Sequence, residues 1–155
     1  LFDFLGTKGL SVSDIHKALN HQSGLLGISG KTNDMRSLCE LAETGHKSSA
    51  LAIDIFCFRL AKYIGAMMTS LTRLDALVFT GGIGENSDLV REKTVGHLHL
   101  LGFELDASLN DANGRSSGGH IEANTSRFPV LVIPTDEELV IAREASHFAG
   151  SETLK

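Results

Sequence analysis

The stretch of sequence that decides the fold reads LVFTGGIGENS and runs from Leu77 to Ser87. A short apolar run stops there at three glycines, Gly81, Gly82 and Gly84, and a helix is predicted to begin near Ser87. Because glycines lack a Cβ and permit positive φ, a ligand can approach the backbone N–H groups of such a turn closely. The pattern is therefore typical of a turn that holds a flat or anionic group, such as a phosphate.

Spacing excludes two common phosphate motifs. The dinucleotide fingerprint G-x-G-x-x-G would need its last glycine at Ser87, and no Lys-Ser or Lys-Thr pair follows as a Walker loop requires. The residues alone leave two interpretations open. The segment is either a ligand-holding turn or a tight strand-to-helix connection in which Asn86 or Ser87 caps the helix.

The rest of the chain alternates between predicted helices and strands. Apolar periodicity and capping residues predict helices over Ser11 or Ser13 to Asn20, Asn33 or Asp34 to Glu43, Ala50 to Leu71, Ser87 to Leu101 and Thr135 to Phe148, with strands over Ala76 to Thr80 and Val130 to Ile133. This order predicts an α/β layer structure with parallel strands. We expect Gly45 and Gly102 to close two of the helices, and we expect Asp106 to Ser126 to be an irregular surface excursion.

Three blocks of sequence resemble the acetate kinase family. They are DALVFTGGIGENSDLVRE from residue 75, continued by LGFELD at Leu101 to Asp106, then GISGKTNDMR at Gly27 to Arg36, and VIPTDEELVIARE at Val132 to Glu144. The blocks stand in the family's order and spread over most of the chain. The resemblance implies part of a ribonuclease H-like (actin-like ATPase) domain, of the acetate and sugar kinase, Hsc70 and actin superfamily.

The resemblance also implies an activity and a set of site residues. The family transfers the γ-phosphoryl group of ATP reversibly to acetate, which gives acetyl phosphate and ADP, with Mg²⁺ as cofactor. By similarity the nucleotide-binding residues are Asp34, Met35 and Arg36 on one wall of the adenosine pocket and Gly82, Ile83, Gly84, Glu85 and Asn86 on the other. A planar guanidinium such as that of Arg36 can lie against an adenine ring. No catalytic residue maps to this chain, because the family's phosphoryl-transfer residues lie further toward the N-terminus.

A second candidate site is PTDEE, at Pro134 to Glu138. Thr135 and Glu138 have the T-x-x-E spacing of a capping box, so the residues alone are explained by helix initiation. The helix dipole also favours carboxylates in a first turn. The resemblance gives Glu137 a further role, since it occupies the position of the family glutamate that helps to hold Mg²⁺, a cation that binds carboxylate and phosphate oxygens.

Charge and composition narrow the partners. The formal net charge is −5 and no cluster of lysine or arginine forms a basic stripe, which argues against a nucleic-acid partner. The two cysteines, Cys39 and Cys57, form no C-x-x-C motif, which favours a reduced, cytoplasmic location. The most apolar stretch, Ala50 to Leu71, is interrupted by three charged residues, so we predict no membrane span.

The same stretch, Ala50 to Leu71, predicts how the protein assembles. Its apolar side chains spread around most of a helix, so more than one side must be covered, either by the core or by another subunit. Members of the resembled family are homodimers joined through their C-terminal domains. The resemblance therefore favours a homodimer.

At 155 residues with Leu1 first, the chain is expected to be a fragment. Residues 1–155 would form the C-terminal nucleotide-binding portion of an acetate kinase-like enzyme whose N-terminal portion, which contacts acetate and acetyl phosphate, is absent. We expect such a fragment to be inactive alone. Two alternatives stay open: a propionate or butyrate kinase of the same family, and a nucleotide-binding or dimerisation module without activity.

Overall fold

The computed structural model describes residues 6–151, with the backbone alone for residues 137 and 149–151. The helices are α1 (Val12–His21), α2 (Gly24–Ser29), α3 (Met35–Glu43), α4 (Lys47–Met68), α5 (Gly81–Asn86), α6 (Asp88–Gly96), α7 (Ala107–Asp111) and α8 (Glu137–Ser151), with a 3₁₀ turn at His99–Leu101. The strands are β1 (Leu77–Phe79) and β2 (Val130–Val132).

The two strands pair in parallel, with Leu77 opposite Val130 and Phe79 opposite Val132. Within the two strands, the side chains of Phe79, Val130 and Val132 are buried, as the apolar runs predicted. Both strands are shorter than predicted, but the α/β arrangement with parallel strands is confirmed.

Helix α3 begins and ends as its sequence predicts. The Asp34 carboxylate accepts a hydrogen bond from the Ser37 N–H at 2.8 Å and so caps the N-terminus. At the other end Gly45 has a φ of +91°, and its N–H donates to the Ala42 carbonyl. The N–H of His46 donates to the Leu41 carbonyl. These two bonds form the Schellman motif that a C′ glycine permits.

Helix α4 is the central element, because it contacts both hydrophobic clusters. Near its N-terminal half, Ala52, Ile53 and Cys57 pack with Met35, Leu38 and Val90, and further along Ala61 packs with the buried residues of the strands. Core burial therefore accounts for one side of the helix. Four large side chains of α4 are more than half exposed: Leu51 and Phe58 on the side away from the buried residues, and Tyr63 and Met67 toward the C-terminal end of the helix. Within residues 6–151 no helix is both long and apolar enough to cross a membrane.

The single helix predicted over Ser87 to Leu101 is divided in the structure. Helix α6 ends at Gly96, where the N–H groups of the next two residues donate to carbonyls three residues back. This tightening turns Leu98 into the core, and the short 3₁₀ turn that follows ends at Gly102, whose φ is +92°.

The prediction that Asp106 to Ser126 is an irregular surface excursion is confirmed for the run of turns at residues 112–119 and wrong for the residues on either side of it. Helix α7 lies inside it, and Ile121 is completely buried in the cluster that contains Phe79 and Val132. The Ile121 N–H donates to the Val130 carbonyl at 2.9 Å, which attaches this residue to β2. A glycine makes this approach possible, since a Cβ on Gly119 would lie 2.7 Å from the Val132 oxygen. The segment therefore contributes Ile121 and Asn110 to the buried interior, while the turns between them lie mostly at the surface.

Candidate functional site

The two candidate turns lie side by side at one edge of the strand pair. Strand β1 leads directly into α5, and β2 leads through Ile133 to Asp136 into α8. The Ile133 N–H donates to the Phe79 carbonyl at 3.0 Å, which joins the strands up to this edge. Ligands of α/β proteins bind outside the carboxyl ends of parallel strands, so this edge is the place to expect a site.

The glycine-rich turn is already helical. The helix predicted to begin near Ser87 is confirmed as α6, which Ser87 caps. The sequence did not predict the short helix α5 before it, which begins at Gly81, whose φ of +71° allows the sharp departure from β1. Ser87 serves two helices: its N–H donates to the Ile83 carbonyl at the end of α5, and its hydroxyl accepts from Val90 to cap α6. Glycine makes this short helix possible directly after a strand.

The glycines of the turn have different roles. A Cβ on Gly84 would lie 3.3 Å from the Phe79 carbonyl carbon, so Gly84 packs closely against β1. Gly82 is exposed, and no atom lies within 4 Å of the place that its Cβ would take. Of these two glycines, Gly82 offers the open backbone surface that a ligand needs.

The remaining predicted residues of the turn differ in how free their side chains are. Ile83 is 39% exposed, and the Asn86 amide donates to the Gly82 carbonyl at 2.9 Å. The Glu85 carboxylate accepts three hydrogen bonds on one oxygen, from the Gly81 N–H and from the N–H and hydroxyl of Thr135, all at 2.8 Å. Glu85 therefore joins the ends of the two strands.

The hydrogen bonds to Glu85 also stabilise its ionised form. The bonds from Thr135, followed by the bond from Gly81, favour the ionised carboxylate and hold the pKa of Glu85 below its usual value. We refer to this arrangement of Glu85, Thr135 and Gly81 as the Glu85 clamp. A carboxylate that is ionised and bound to the chain in this way fixes the distance between the two candidate turns.

The predicted capping box of PTDEE is wrong. The Thr135 hydroxyl donates to Glu85, and it is the Asp136 carboxylate that accepts from the Leu139 N–H at 2.8 Å at the start of α8. A tertiary hydrogen bond has taken the hydroxyl that the local pattern assigned to capping. Glu137 is the first residue of α8, so its backbone follows β2 at the same edge as the glycine turn.

The DMR segment is placed at the start of α3. The Asp34 carboxylate caps the helix, Met35 is buried in the core with Leu38, and Arg36 is exposed. The Met35 side chain is therefore part of the core, and only its backbone can face an adenosine. The assignment of these three residues to a nucleotide stays a prediction.

Helix α3 packs against the junction of α5 and α6. Met35 and Val90 belong to one cluster, and the Cys39 thiol lies beside the Ser87 side chain. Burial raises the pKa of the Cys39 thiol, while its hydrogen bond with Ser87 acts in the opposite direction. The first turn of α3 and the end of the glycine turn are therefore held by one packed unit.

Sequence reasoning missed Arg91 on α6, which is completely buried. Its guanidinium donates to the Gly84 carbonyl at 2.8 Å, to the Asn110 side chain and carbonyl at 2.7 Å each, and to the Asn113 side chain. Burial lowers the pKa of Arg91, an effect that the nearby Asp88 charge opposes. The guanidinium thus supports the glycine turn from beneath.

The described side chains contain no cluster of three or more His, Cys, Asp or Glu residues that could enclose a metal ion. Mg²⁺ does not need one, since it usually keeps several waters and binds one or two carboxylates together with substrate phosphates. A single carboxylate beside the glycine turn, together with a substrate phosphate, would be a donor set that fits this cation. The exposed carboxylates at this edge include Asp136 and Glu138.

Comparison with known proteins gives one family. The sequence matches the acetokinase family over residues 1–143. It is 54% identical over 136 residues to an acetate kinase of Ectopseudomonas mendocina and 46% identical over 151 residues to acetate kinase 1 of Neisseria meningitidis serogroup A. These alignments cover 88% and 97% of the chain but 34% and 38% of the relatives. The chain therefore spans about a third of the length of the curated relatives that it matches.

Solved structures agree with this family. A propionate kinase of Francisella tularensis is 44% identical with a TM-score of 0.83, and an acetate kinase of Porphyromonas gingivalis is 34% identical with a TM-score of 0.81. Each likeness covers 92% of this chain and 36% of the other chain. The predicted family and the predicted α/β fold of the actin-like ATPase type are confirmed.

Proposed function

The chain belongs to the acetokinase family, and from that membership we propose that residues 1–155 form the C-terminal nucleotide-binding portion of an acetate kinase. The enzyme transfers the γ-phosphoryl group of ATP reversibly to acetate, giving acetyl phosphate and ADP. Phosphoryl transfer depends mainly on positioning and on stabilisation of charge, so a portion that holds the nucleotide is indispensable to it. The observation that carries the proposal is the glycine turn with its open Gly82 at the carboxyl ends of parallel strands.

The nucleotide is held between two segments. Gly82 to Asn86 contact the ribose and phosphates, mainly through backbone, because the Glu85 and Asn86 side chains are bound within the turn. Asp34, the Met35 backbone and Arg36 form the other wall of the adenosine pocket. The exposed Arg36 guanidinium stacks on the adenine face.

Mg²⁺ is the proposed cofactor, with Glu137 as its protein ligand. This residue begins α8 beside the glycine turn, and its neighbour Thr135 is bound to that turn through the Glu85 clamp. When bound, the cation neutralises charge on the phosphates. Acetate and acetyl phosphate contact the part of the enzyme that precedes these residues in the relatives, so we assign no catalytic residue here. The proposed location is the cytoplasm.

One observation supports a different acyl substrate in place of acetate: the chain is 44% identical to the Francisella tularensis propionate kinase. The size of the acyl group is set by residues outside this chain in the family. Propionate, and by the same reasoning butyrate, is therefore the alternative substrate, while the nucleotide and metal roles are unchanged.

The proposal includes a homodimer that forms through the exposed apolar side chains of α4. Leu51, Phe58, Tyr63 and Met67 place apolar surface on one long helix, and exposed patches of this kind mark interaction sites. Light scattering should give a dimer for the chain and a monomer after Leu51→Glu and Phe58→Glu together. Leu100→Glu, at a residue 87% exposed on the 3₁₀ turn, is the control and should leave the dimer intact. A monomeric wild-type chain would refute the interface.

Activity is tested in a chimera in which this chain replaces the corresponding segment of the Ectopseudomonas mendocina acetate kinase. We expect acetyl phosphate formation from ATP and acetate by the chimera and none by the 155-residue chain alone. Glu137→Ala should raise the Mg²⁺ concentration needed for half-maximal rate, whereas Glu138→Ala should not. An inactive chimera that binds ATP would favour the alternative of a nucleotide-binding module, and faster turnover of propionate or butyrate would change the acyl substrate.

Nucleotide binding is tested with Gly82→Val. A side chain introduced at position 82 would enter open space, so folding should be little affected. The β-branched valine would, however, block the backbone surface that is proposed to contact the ligand. Calorimetry should show weaker ATP binding at an unchanged melting temperature. Unaltered ATP affinity would remove the turn from the site.

A further inference from the structure

Arg91 carries a buried positive charge without a carboxylate partner in the described part of the chain. Its hydrogen bonds end on neutral oxygens, those of Gly84, Asn110 and Asn113. Asp88, the charged side chain that acts on it, is exposed and three residues earlier on α6. Burying a charge is costly unless an opposite charge or strong hydrogen bonds compensate it. The neutral partners satisfy the donors of Arg91 but leave its charge largely uncancelled.

The buried charge of Arg91 lies directly beside the glycine turn. One guanidinium nitrogen of Arg91 lies 2.8 Å from the Gly84 carbonyl oxygen, two residues from the open backbone at Gly82. In the interior of a protein a charge acts over a longer distance than it does in water, because the effective dielectric constant is lower. An anion at the turn would therefore experience the field of Arg91 without touching it.

The residues around Arg91 favour a role beyond bracing. A carboxylate in place of Asn113 would accept the same hydrogen bond from Arg91 and make it stronger, since charge-assisted bonds are stronger than neutral ones. Such a carboxylate would also cancel the positive charge. The Asn113 amide instead holds the guanidinium and preserves its charge. Asn110 must be an amide for another reason, because its side-chain nitrogen donates to the Asp88 carbonyl at 3.0 Å.

We infer that Arg91 is a positioning residue for the phosphates of the nucleotide, which holds Gly84 in place and supplies the positive charge that an anionic ligand at the turn neutralises. This inference rests on the proposed nucleotide-binding function and deepens it. It requires that Arg91 discriminates a nucleoside diphosphate from an uncharged nucleoside. A residue with a merely structural role would affect both ligands alike.

The test is Asn113→Asp in the 155-residue chain, with ADP and adenosine titrated separately by calorimetry. The Asp carboxylate keeps an acceptor for Arg91 and adds a negative charge beside it. We expect ADP to bind about tenfold more weakly, the effect of one unit charge across roughly 10 Å at an effective dielectric constant of about 20. Adenosine affinity should change less than about twofold, because an uncharged ligand does not respond to that field. Asn124→Asp, at an exposed residue outside the network, changes the net charge equally and should leave both affinities unchanged.

Arg91→Lys should show the opposite pattern to Asn113→Asp, namely lower stability with unchanged discrimination between the two ligands. It keeps the charge but cannot reproduce the fork of hydrogen bonds, so the melting temperature should fall while the ratio of ADP to adenosine affinity stays within about twofold. Should Asn113→Asp fail to fold, the exposed Asp88→Asn gives the reverse test, because it removes the negative charge that acts on Arg91: ADP should bind more tightly while adenosine affinity is unchanged. Equal weakening of ADP and adenosine, or no weakening of ADP, would overturn the inference and leave nucleotide binding intact. A folded wild-type chain that binds neither ligand would instead overturn the proposed function, and the inference with it.

Discussion

The turns that follow β1 and β2 lie at the same edge of the strand pair but are held in different ways. The glycine turn is fixed by the interior: Arg91 supports the Gly84 carbonyl, and Gly84 packs on Phe79. After β2, the residues from Ile133 to Asp136 are all exposed. That second turn is held by the Glu85 clamp and by the cap of its own helix.

The helix that follows the second turn continues the contrast. Helix α8 leaves Leu139, Val140, Ile141 and Phe148 between 42% and 70% exposed, whereas α6, after the glycine turn, buries Val90, Arg91, Thr94 and Val95. Apolar surface of that extent is typical of a helix that packs against something else. One candidate turn is thus preorganised by the chain itself, and the other depends on a single carboxylate and on whatever covers α8.

The largest expected effect on the glycine turn is the loss of stability caused by Arg91→Met. A buried acceptor left without a donor costs about 1–3 kcal/mol, and this change removes the donor to several acceptors at once, so the free energy of unfolding should fall by about 3 kcal/mol or more. Urea denaturation followed by circular dichroism measures it. Arg115→Met, at an exposed arginine, is the control and should change stability by less than about 0.5 kcal/mol. Similar losses in both variants would mean that Arg91 does not brace the turn.

A smaller effect is expected for Gly84→Ala. Its methyl group would lie 3.3 Å from a backbone atom of Phe79 that cannot move aside easily, and overpacking of this kind costs about 1–3 kcal/mol. Gly82→Ala is the matched control, because its methyl group enters open space and alanine is the better helix former. Thermal unfolding of the two variants should separate them clearly. If Gly82→Ala were as destabilising, the division between a packed and an open glycine would be wrong.

The features that the sequence predicted well are local ones. Asp34 and Gly45 at the ends of α3, Gly102 after the 3₁₀ turn, and both strands follow from residue types within a few positions of one another. Caps and left-handed glycines act through the adjacent backbone, so a single sequence contains the information. The family resemblance was equally accessible, because its motifs are contiguous blocks.

What the sequence could not predict depends on contacts between distant residues. Arg91 meets Asn110 nineteen residues later, and nothing in a charged residue on a helix distinguishes a buried one from a solvated one. The capping box failed for the same reason, since Thr135 is bound by Glu85 fifty residues earlier. Whether Gly82 or Gly84 offers open surface also depended on Phe79, which spacing alone does not locate.

The second turn can be tested through its cap. Asp136→Ala removes the carboxylate that accepts from the Leu139 N–H, and loss of such a cap costs about 1 kcal/mol. Glu138→Ala, which the capping-box pattern would have made important, should cost only a few tenths of a kcal/mol as a loss of favourable charge near a helix start. Hydrogen exchange of the α8 amides measures the difference. Greater exchange in Glu138→Ala than in Asp136→Ala would restore the capping box.

The smallest effect concerns the Glu85 clamp, which joins the two turns, and it appears as a dependence on pH. Because hydrogen bonds lower the pKa of Glu85 in the folded chain, its contribution to stability is complete above the unfolded pKa of about 4.3 and is lost as the pH falls through the folded value. Glu85→Gln keeps an acceptor oxygen without the charge, so its melting temperature should lie below that of the wild type at neutral pH. The gap should close as the solution is acidified below about pH 4. Thr135→Val removes one of the three donors, so its deficit should be smaller and should close over the same range. A deficit independent of pH in both variants would mean that the clamp acts through packing, and that the ionised carboxylate does not hold the two turns together.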